Sequence, residues 1–405
     1  MRSLTFVALS ALLAISSVNA QSSGSASATA SASLALMSAS PSAITADANN
    51  TAASGASVGK AFKYFMQVWL ENNDYSTVAA LPAYQKLAEQ GILLTNYNAI
   101  THPSEPNYVA AAGGSNLGIT DDAYYSIPAN VSSIWDLVEA KGLKWKTYQE
   151  DIPSYGFSGF SAHNGSYVRK HNPAIIFDSI GLNDTRSANV VPANVLYDDI
   201  AANNVPAYSF YTPNITNDGH DTTAAFAGDW VTNFWTSISN ATFLKDALVL
   251  ITFDENETYS TRNQVWALLL GGVIPANLKN TTDNTYYTHY SALSTVEQNW
   301  NLGNLGRGDA NQTEANVFSF VANALGVTNV NVTNVPMNNI SIPGMLTNQS
   351  WNATHPKSTS TPLPSSSANS SASGSASASG AIAVTAVTGL GVATAIVAAV
   401  LPYLL

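Results

Sequence analysis

The sequence predicts an α/β fold in which a mostly parallel central sheet is covered by helices on both faces. Strand-like and helix-like segments alternate along the chain, which is typical of such sheets. Residues 247–253 are almost continuously apolar, as in a strand that is buried on both faces. Polar clusters follow several of the strand-like segments, where open α/β sheets bind their ligands. A ligand site is therefore expected at the carboxyl edge of the sheet.

The elements follow from apolar runs and from helical periodicity, taken in chain order. The first strand, 62–70, is apolar and aromatic, and it is followed by a helical segment at 81–90. The further strands are predicted at 91–100, 143–148, 206–211, 247–253 and 265–271. The further helices are predicted at 133–140, 195–202, 222–236, 291–300 and 315–325.

Composition excludes several classes of function. The chain has 405 residues with 15 Lys and Arg against 26 Asp and Glu, a net charge of −11. This balance disfavours a nucleic-acid partner, because phosphate backbones require basic patches. It suits a protein that stays soluble at acidic pH, where some carboxylates lose their charge. The absence of cysteine excludes disulfides, thiol catalysis and Cys-ligated zinc.

Five segments are expected along the chain. Residues 1–20 have the positive start, apolar stretch and small-residue cleavage site of a secretory signal peptide. Residues 21–59 are rich in Ser and Ala and are expected to be disordered and O-glycosylated. Residues 60–343 carry nearly all the charged and aromatic side chains and are expected to form one folded domain. Residues 344–380 resemble a Ser/Thr-rich stalk, and residues 381–405 form an apolar tail.

The apolar tail predicts a GPI-attachment signal, because small residues and a polar spacer precede it. The alternative is a permanent transmembrane helix, but no basic residue follows Lys357 to act as a cytoplasmic stop. The protein is therefore expected to be secreted and held at the outer membrane leaflet or in the cell wall. Dense glycosylation sequons agree with a secreted glycoprotein, and they include Asn130, Asn164, Asn183, Asn214, Asn240, Asn280, Asn311 and Asn331. Asn256 also begins a sequon, but it adjoins Asp254 and Glu255 and is expected to be unmodified.

The segment 101–108, Thr-His-Pro-Ser-Glu-Pro-Asn-Tyr, contains the candidate nucleophile Ser104. It lies between a predicted strand and a run of small residues that can open a helix. Backbone N–H groups and the helix dipole favour an anion at such a junction. The purely structural alternative is a proline-stiffened turn whose Ser and Asn cap the helix.

Acidic and amide side chains follow two of the predicted strands. Glu71 and Asn72 come directly after the strand at 62–70, and Asp254 and Glu255 come directly after 247–253. Their oxygen atoms are suitable ligands for a divalent cation. Each cluster alone could equally be helix capping or solvated loop polarity. The two clusters together with the serine turn favour a metal-assisted site.

Histidines are concentrated in the same candidate loops. His220 and Asp221 lie in a loop after the strand at 206–211, and His289 precedes a predicted helix. His102 lies beside the candidate serine, and His171 follows two basic residues and could lie near an anion. A lone histidine is more often a structural hydrogen-bonding group, but three of the six histidines in these loops weaken that interpretation.

These residue types admit two main reactions. In metal-assisted phosphoryl transfer, Ser104 attacks phosphorus, and Asn107 and histidines hold the remaining charge. In the acyl-transfer alternative, a Ser-His-Asp triad operates, but the nucleophile-elbow motif is missing at Ser104 and the acidic clusters are left without a role. A glycosidase with two carboxylates stays possible on composition.

Seven motifs in matching order resemble the secreted fungal acid phosphatases of the phosphoesterase family, which also includes bacterial phospholipase C-type enzymes. The resemblance covers about residues 62–325 and lies within the alkaline-phosphatase-like superfamily. The motifs are Trp-Leu-Glu-Asn-Asn-Asp at 69–74, 101–108 as quoted above, Tyr-Gln-Glu-Asp-Ile-Pro at 148–153, Arg-Lys-His-Asn-Pro at 169–173, Asn-Asp-Gly-His-Asp at 217–221, Thr-Phe-Asp-Glu-Asn at 252–256 and Tyr-Thr-His-Tyr-Ser at 287–291.

The resemblance implies a three-layer α/β/α sandwich and a serine nucleophile at Ser104. It implies a divalent metal ion held by side chains at the two strand ends, and phosphoryl-group contacts from the later loops. The metal ligands implied are Glu71, Asn72, Asp254 and Glu255, and the phosphoryl contacts are His220, Asp221 and His289. The metal identity stays open, because two-metal relatives use more histidine ligands.

The favoured function is an acid phosphatase that acts on small external phosphate monoesters. A phosphodiesterase or phospholipase C-like enzyme is the close alternative, because the same nucleophile serves both. The alternative from another class is a non-catalytic cell-wall mannoprotein, suggested by the Ser/Ala-rich ends. Intact Ser104, Asn107, Glu71 and Asp254 disfavour such a degenerate site.

Overall fold

The computed structural model describes residues 59–347. The strands in this part of the chain are β1 (Tyr64–Leu70), β2 (Ile92–Leu94), β3 (Tyr97–Asn98), β4 (Trp145–Gln149), β5 (Ser161–Ala162), β6 (Tyr167–Val168), β7 (Val190–Pro192), β8 (Tyr208–Thr212), β9 (Ala247–Phe253), β10 (Ala267–Leu270), β11 (Thr281–Asp283) and β12 (Tyr287–Thr288). The helices are α1 (Tyr75–Ala79), α2 (Pro82–Ala88), α3 (Ser104–Gly113), α4 (Ile134–Ala140), α5 (Pro173–Ile176), α6 (Asp178–Gly181), α7 (Asp184–Ser187), α8 (Val195–Ala201), α9 (Ala224–Ile238), α10 (His289–Trp300) and α11 (Ser319–Leu325).

The central sheet of the described residues has eight strands in the order β11-β2-β10-β9-β1-β8-β4-β7. All neighbouring pairs are parallel except the two that β10 makes with β9 and β2. The strands β1 and β9 are central and pair in register from Tyr64 opposite Ala247 to Leu70 opposite Phe253. The residues that follow β1 and β9 therefore emerge side by side at the same edge of the sheet.

Helices cover both faces of this sheet, as the neighbouring residues Phe210 and Tyr211 show. Successive side chains of a strand point to opposite faces. The ring of Phe210 lies 6.1 Å from that of Tyr108 in α3, whereas the ring of Tyr211 lies 4.6 Å from that of Phe234 in α9. The prediction of a mostly parallel sheet between two layers of helices is thus confirmed.

Most predicted elements are confirmed, and β9 has the predicted bounds because every one of its residues is buried. The predicted strand 91–100 is instead divided into β2 and β3, because the chain turns at Thr95 and Asn96 and pairs with two different sheets. The predicted strand 265–271 runs antiparallel to its neighbours as β10. The helix after the serine turn begins at Ser104 itself, and all ten residues of α3 are buried.

Several predictions concern residues outside the described part of the chain. These are the signal peptide at 1–20, nearly all of the segment 21–59, the stalk beyond residue 347 and the apolar tail at 381–405. The helices formed by residues 59–347 are all too short or too polar to traverse a bilayer.

Candidate active site

Four buried carboxylates meet where the central strands end. Glu71 directly follows β1, and Asp254 and Glu255 directly follow β9. Asp218 belongs to the loop after β8, and its backbone carbonyl accepts a 3.0 Å hydrogen bond from the N–H of Glu71. All four side chains are at most 1% exposed. The topology of the sheet thus produces the acidic cluster that the strand ends predict.

The hydroxyl group of Ser104 points into this acidic cluster. Ser104 is the first residue of α3 and is 2% exposed. Its Oγ lies 3.1 Å from Glu71 Oε2 and 3.4 Å from Glu255 Oε1. The other oxygen of Glu71 accepts a 2.6 Å hydrogen bond from the Tyr108 hydroxyl, one helical turn after Ser104. The structure therefore brings the candidate nucleophile together with both predicted acidic clusters.

The carboxylate of Asp254 is the least satisfied of the four. Both of its oxygens are buried without a hydrogen bond of good geometry from any residue in 59–347. Burial raises the pKa of Asp254 well above its usual range, and Glu71 and Glu255 raise it further by repulsion. Burial also raises the pKa of Glu71, and that of Glu255 to about 7. Acceptors crowded in this way fit a bound divalent cation, which would satisfy their lone pairs and offset their repulsion.

Asn72 lies beside Glu71 at the end of β1 and is half-buried, on the border of the acidic cluster. The next residue, Asn73, donates its side-chain amide to the backbone carbonyl of Glu71 at 3.0 Å. The strand end is thereby fixed from within the loop, so that Glu71 and Asn72 leave β1 in a defined orientation.

A second group of possible ligands contains His171, which was not among the metal ligands predicted from the sequence. One ligand atom each of Glu71, His171 and Asp218 lie within 4.8 Å of one another. The ring nitrogens of His171 lie 3.2 Å from Glu71 Oε1 and 3.6 Å from Asp218 Oδ2. Burial lowers the pKa of His171 well below its usual value, and Lys170 lowers it further. The basic motif at 169–173 and the loop motif at 217–221 were the sequence signals for this cluster.

His102 lies beside Glu255, the second carboxylate near Ser104. Its Nδ1 pairs with Glu255 Oε2, and its ring stacks on that of Tyr259 with centroids 3.8 Å apart. Tyr259 is half-exposed and lies at the rim of the site. Burial raises the pKa of Tyr259 to about 12, and Glu255 is the largest charged contributor. His102 thus connects the rim of the site to Glu255, whose other oxygen lies 3.4 Å from Ser104 Oγ.

His289 contacts the backbone of the acidic cluster. It is fully buried at the start of α10, and its Nε2–H donates to the backbone carbonyl of Asp254 at 2.6 Å. Its Nδ1 lies 3.4 Å from the Tyr97 hydroxyl, and its ring packs on that of Trp69 at 4.4 Å. Burial lowers its pKa to about 3, so the ring is neutral at physiological pH. In this arrangement His289 contacts the backbone next to the carboxylates.

His220 and Asp221 lie at the outer edge of the site. The side chain of His220 is 31% exposed and that of Asp221 is 58% exposed, and they are joined by a 2.8 Å contact. The loop turns at Gly219, whose φ of 108° favours glycine. The N–H of His220 donates to Asp218 Oδ1 at 2.9 Å. The pair is therefore close to the acidic cluster but accessible to solvent.

Asn107 is engaged with the backbone of the serine turn. Its Oδ1 accepts from the N–H groups of Ile100 and Thr101 at 2.9 and 3.1 Å. Its Nδ2 donates to the carbonyls of Thr101 and Pro103 at 2.8 and 3.1 Å. The side chain thus ties the chain before Ser104 to the first turn of α3.

Comparison with known proteins shows the family to which the chain belongs. The model of the Phosphoesterase family matches residues 43–303, which is more than half of the chain. The chain therefore belongs to the phosphoesterase family, and it is a hydrolase that acts on phosphoric ester bonds.

The chain is similar to fungal acid phosphatases within that family. It is 48% identical to a probable acid phosphatase of Kluyveromyces lactis over 75% of this chain and 72% of that protein. It is 46% identical to an acid phosphatase of Aspergillus fumigatus over 69% of this chain and 64% of that protein. Among solved structures, a protein in the alkaline phosphatase superfamily from Vibrio parahaemolyticus matches with a TM-score of 0.43 and 10% identity, over 62% of this chain and 70% of that one.

Proposed function

We propose that the chain is an acid phosphatase that hydrolyses extracellular phosphate monoesters, with Ser104 as its nucleophile. The observation that carries this proposal is the buried Ser104 hydroxyl at the start of α3, 3.1 Å from a carboxylate oxygen of Glu71. A serine in this position faces the place where phosphate binds at a helix N-terminus. The proposal of an acid phosphatase, rather than another phosphatase, follows the names of the fungal relatives.

A divalent cation held by Glu71, Asn72, Asp254 and Glu255 would complete this site. The two unpaired oxygens of Asp254 and the convergence of three carboxyl groups fit such a ligand set. When bound, the cation supplies charge that lowers the pKa of the serine hydroxyl and neutralises phosphoryl oxygens. His171 and Asp218, which share Glu71, could hold a second cation or bind the phosphoryl group directly.

The reaction proceeds in two displacements. Ser104 Oγ loses its proton to the adjacent carboxylate of Glu71 and attacks phosphorus, so that the Oγ–P bond forms while the ester P–O bond breaks. The alcohol leaves with a proton from the exposed pair His220 and Asp221. Water then loses a proton to the His220 and Asp221 pair and attacks phosphorus, so that a new P–O bond forms while the Oγ–P bond breaks. Ser104 Oγ regains its proton from Glu71, and inorganic phosphate leaves.

Two further residues keep this geometry in place. Asn107 holds the serine turn through its four backbone hydrogen bonds, which use both of its amide protons. His289 fixes the backbone of Asp254 and thereby the direction of its carboxylate. Positioning of this kind contributes to catalysis because small displacements of reacting groups cost large factors in rate.

The test uses the purified full chain at acidic pH. Wild type should hydrolyse an aryl phosphate monoester faster than the matching diester, and a chelator should abolish turnover until a divalent metal is returned. Ser104→Ala should lower kcat by about a thousandfold or more. The matched control is Ser294→Ala, because Ser294 is buried in α10 and its hydroxyl donates to the carbonyl of Ser291 at 3.2 Å, away from the acidic cluster. An active Ser104→Ala protein would refute the proposed nucleophile, and preference for the diester would favour the phosphodiesterase alternative.

We also propose attachment to the outer leaflet through a GPI anchor, based on the apolar segment 381–405. A phosphatidylinositol-specific phospholipase should release the protein from intact cells. Retention after complete digestion would favour a transmembrane helix instead.

A further inference from the structure

We propose that Lys170 binds the phosphoryl group of the substrate and that the carboxylate of Asp122 occupies that place until an anion displaces it. This inference rests on the proposed phosphatase function and adds two residues to its site. In this proposal Lys170 contacts the substrate directly, and the Asp122 carboxylate competes with the phosphoryl group for Lys170.

Lys170 faces the acidic cluster. It belongs to the turn Arg169–His171 and directly precedes His171. Its side chain is 15% exposed, and its Nζ lies 2.9 Å from Asp122 Oδ2. Burial opposes the charged form of Lys170, but the carboxylates of Glu71 and Asp122, followed by Asp254, raise its pKa above the usual value. A cation in this position lies where it can reach a phosphoryl group placed above Ser104.

The neighbouring Arg169 does not compete for this role. It is 3% exposed, and its Nη1 donates to the carbonyl of Tyr125 at 2.6 Å. Its Nη2 donates to the carbonyl of Ile175 at 3.2 Å, and its guanidinium lies 4.0 Å from the ring centroid of Tyr124. These contacts commit Arg169 to the fold, whereas Lys170 is held by one carboxylate that is itself 30% exposed.

Asp122 connects Lys170 to the N-terminus of α3. Its Oδ1 accepts a 3.0 Å hydrogen bond from the N–H of Glu105, the residue that follows Ser104. Its Oδ2 pairs with Lys170. An ammonium group and a helix N-terminal N–H are the donors that bind phosphate oxygens in proteins. The two oxygens of Asp122 thus occupy, next to the nucleophile, the positions expected for two phosphoryl oxygens.

The nearby His171 independently indicates a missing ligand. It is 2% exposed, yet both of its ring nitrogens lack a hydrogen bond of good geometry within residues 59–347. Buried polar groups are normally satisfied, so a ligand is expected between His171 and the acidic cluster. A bound phosphoryl group would accept a hydrogen bond from the His171 ring. It would also accept the hydrogen bonds that Lys170 and the N–H of Glu105 now donate to Asp122.

Charge explains why such a lysine is needed. A phosphate monoester is a dianion or monoanion, and the site contains four buried carboxyl groups. A divalent cation offsets only part of their repulsion towards an anion. Lys170 supplies an additional positive charge on the substrate side, and displacement of Asp122 removes a negative one.

The experiment measures binding of inorganic phosphate to the metal-loaded full chain by isothermal titration, together with KM and kcat on an aryl phosphate. Lys170→Met removes a charge-assisted hydrogen bond and should weaken phosphate binding by about tenfold or more, with a matching rise in KM. Lys170→Arg keeps the charge and should recover part of the affinity. Asp122→Asn should strengthen phosphate binding by about threefold or more, because a competing anion is lost.

The control is Lys146→Met, which breaks the comparable partly buried ion pair with Asp199 near the amino end of β4. It should leave phosphate affinity unchanged. The inference is overturned if folded Lys170→Met binds phosphate like wild type, or if Asp122→Asn weakens binding as Lys170→Met does. If wild type hydrolyses no phosphate ester, the proposed function fails, while the phosphate titrations still decide the role of Lys170.

Discussion

At the scale of single residues, burial separates the glycosylation sequons into two groups. Asn256 is 1% exposed, and its amide donates to the carbonyl of Thr258 at 2.9 Å and to Thr261 Oγ1 at 3.0 Å. Asn214 is 6% exposed, and its amide donates to Asp151 at 2.9 Å. A glycan on either amide would break these bonds and has no space in the folded chain. The sequence motif alone cannot reveal this, because burial depends on tertiary contacts.

We therefore predict that Asn214 and Asn256 carry no glycan, whereas the exposed Asn130, Asn240 and Asn280 are modified. Glycopeptide mass spectrometry of the secreted protein measures occupancy at each sequon. The exposed sites serve as the internal control for transit through the secretory pathway. High occupancy at Asn256 would contradict the described packing beside Asp254.

The candidate site residues whose proximity was easiest to predict are those that directly follow a strand. Glu71 and Asp254 could be placed together because parallel strands bring their carboxyl ends to one edge. The grouping of His171 and Asp218 with Glu71 was missed, because it depends on the paths of two loops far apart in sequence. Asn107 was expected to contact the phosphoryl group, and the structure adds its four backbone bonds.

At the scale of elements, a pair of acidic side chains joins α10 to the loop after it. Glu297 of α10 is 3% exposed and Asp309 is 4% exposed. Burial, together with the charge and hydrogen bond of Asp309, raises the pKa of Glu297 to about 9, while Arg307 opposes the shift. The folded state therefore favours the protonated form of Glu297, in which it can donate a hydrogen bond.

This pair predicts a pH-dependent stability. The pKa of Glu297 is higher in the folded than in the unfolded chain, so its contribution is complete below about pH 4.5 and is lost as pH rises towards 9. Glu297→Gln keeps the hydrogen bond without the ionisable proton. It should reduce the loss of unfolding free energy between pH 4.5 and pH 9 by on the order of a few kcal/mol.

Urea unfolding of both proteins at the two pH values measures this difference. Glu139→Gln is the comparison variant. Glu139 is exposed on α4, where it forms an ion pair with Arg186. Parallel pH profiles for wild type and Glu297→Gln would show that Glu297 is already ionised in the folded protein.

Among the elements, long apolar strands and amphipathic helices were predictable from local pattern. The division of 91–100 into β2 and β3 was not predictable from local pattern, because the segment as a whole is apolar enough to form a single strand. Tertiary contacts decide it, since Asn98 Nδ2 bonds to the carbonyl of Tyr287 at 3.2 Å and β3 pairs with β12. The carboxyl-terminal segment near Ile340, whose carbonyl accepts from Thr101 Oγ1 at 2.6 Å, has no local signature either.

At the scale of the whole molecule, an acidic chain combines a central part rich in charged and aromatic residues with ends rich in Ser and Ala. The net charge of −11 and the many buried carboxyl groups agree with a protein that works at acidic pH. The overall architecture was predictable because alternating elements permit few topologies. The interior of the site was only partly predictable, because its short contacts arise from loops that fold against one another.

The central claim is that Ser104 forms a covalent bond to phosphorus during turnover. The most direct measurement is acid quenching of the metal-loaded full chain during turnover of a radiolabelled phosphate monoester, followed by peptide mapping. We expect one labelled peptide that contains phosphoserine at position 104, absent from the Ser104→Ala variant and present in Ser294→Ala. A labelled histidine, or full turnover without any covalent phosphate on Ser104, would contradict the account.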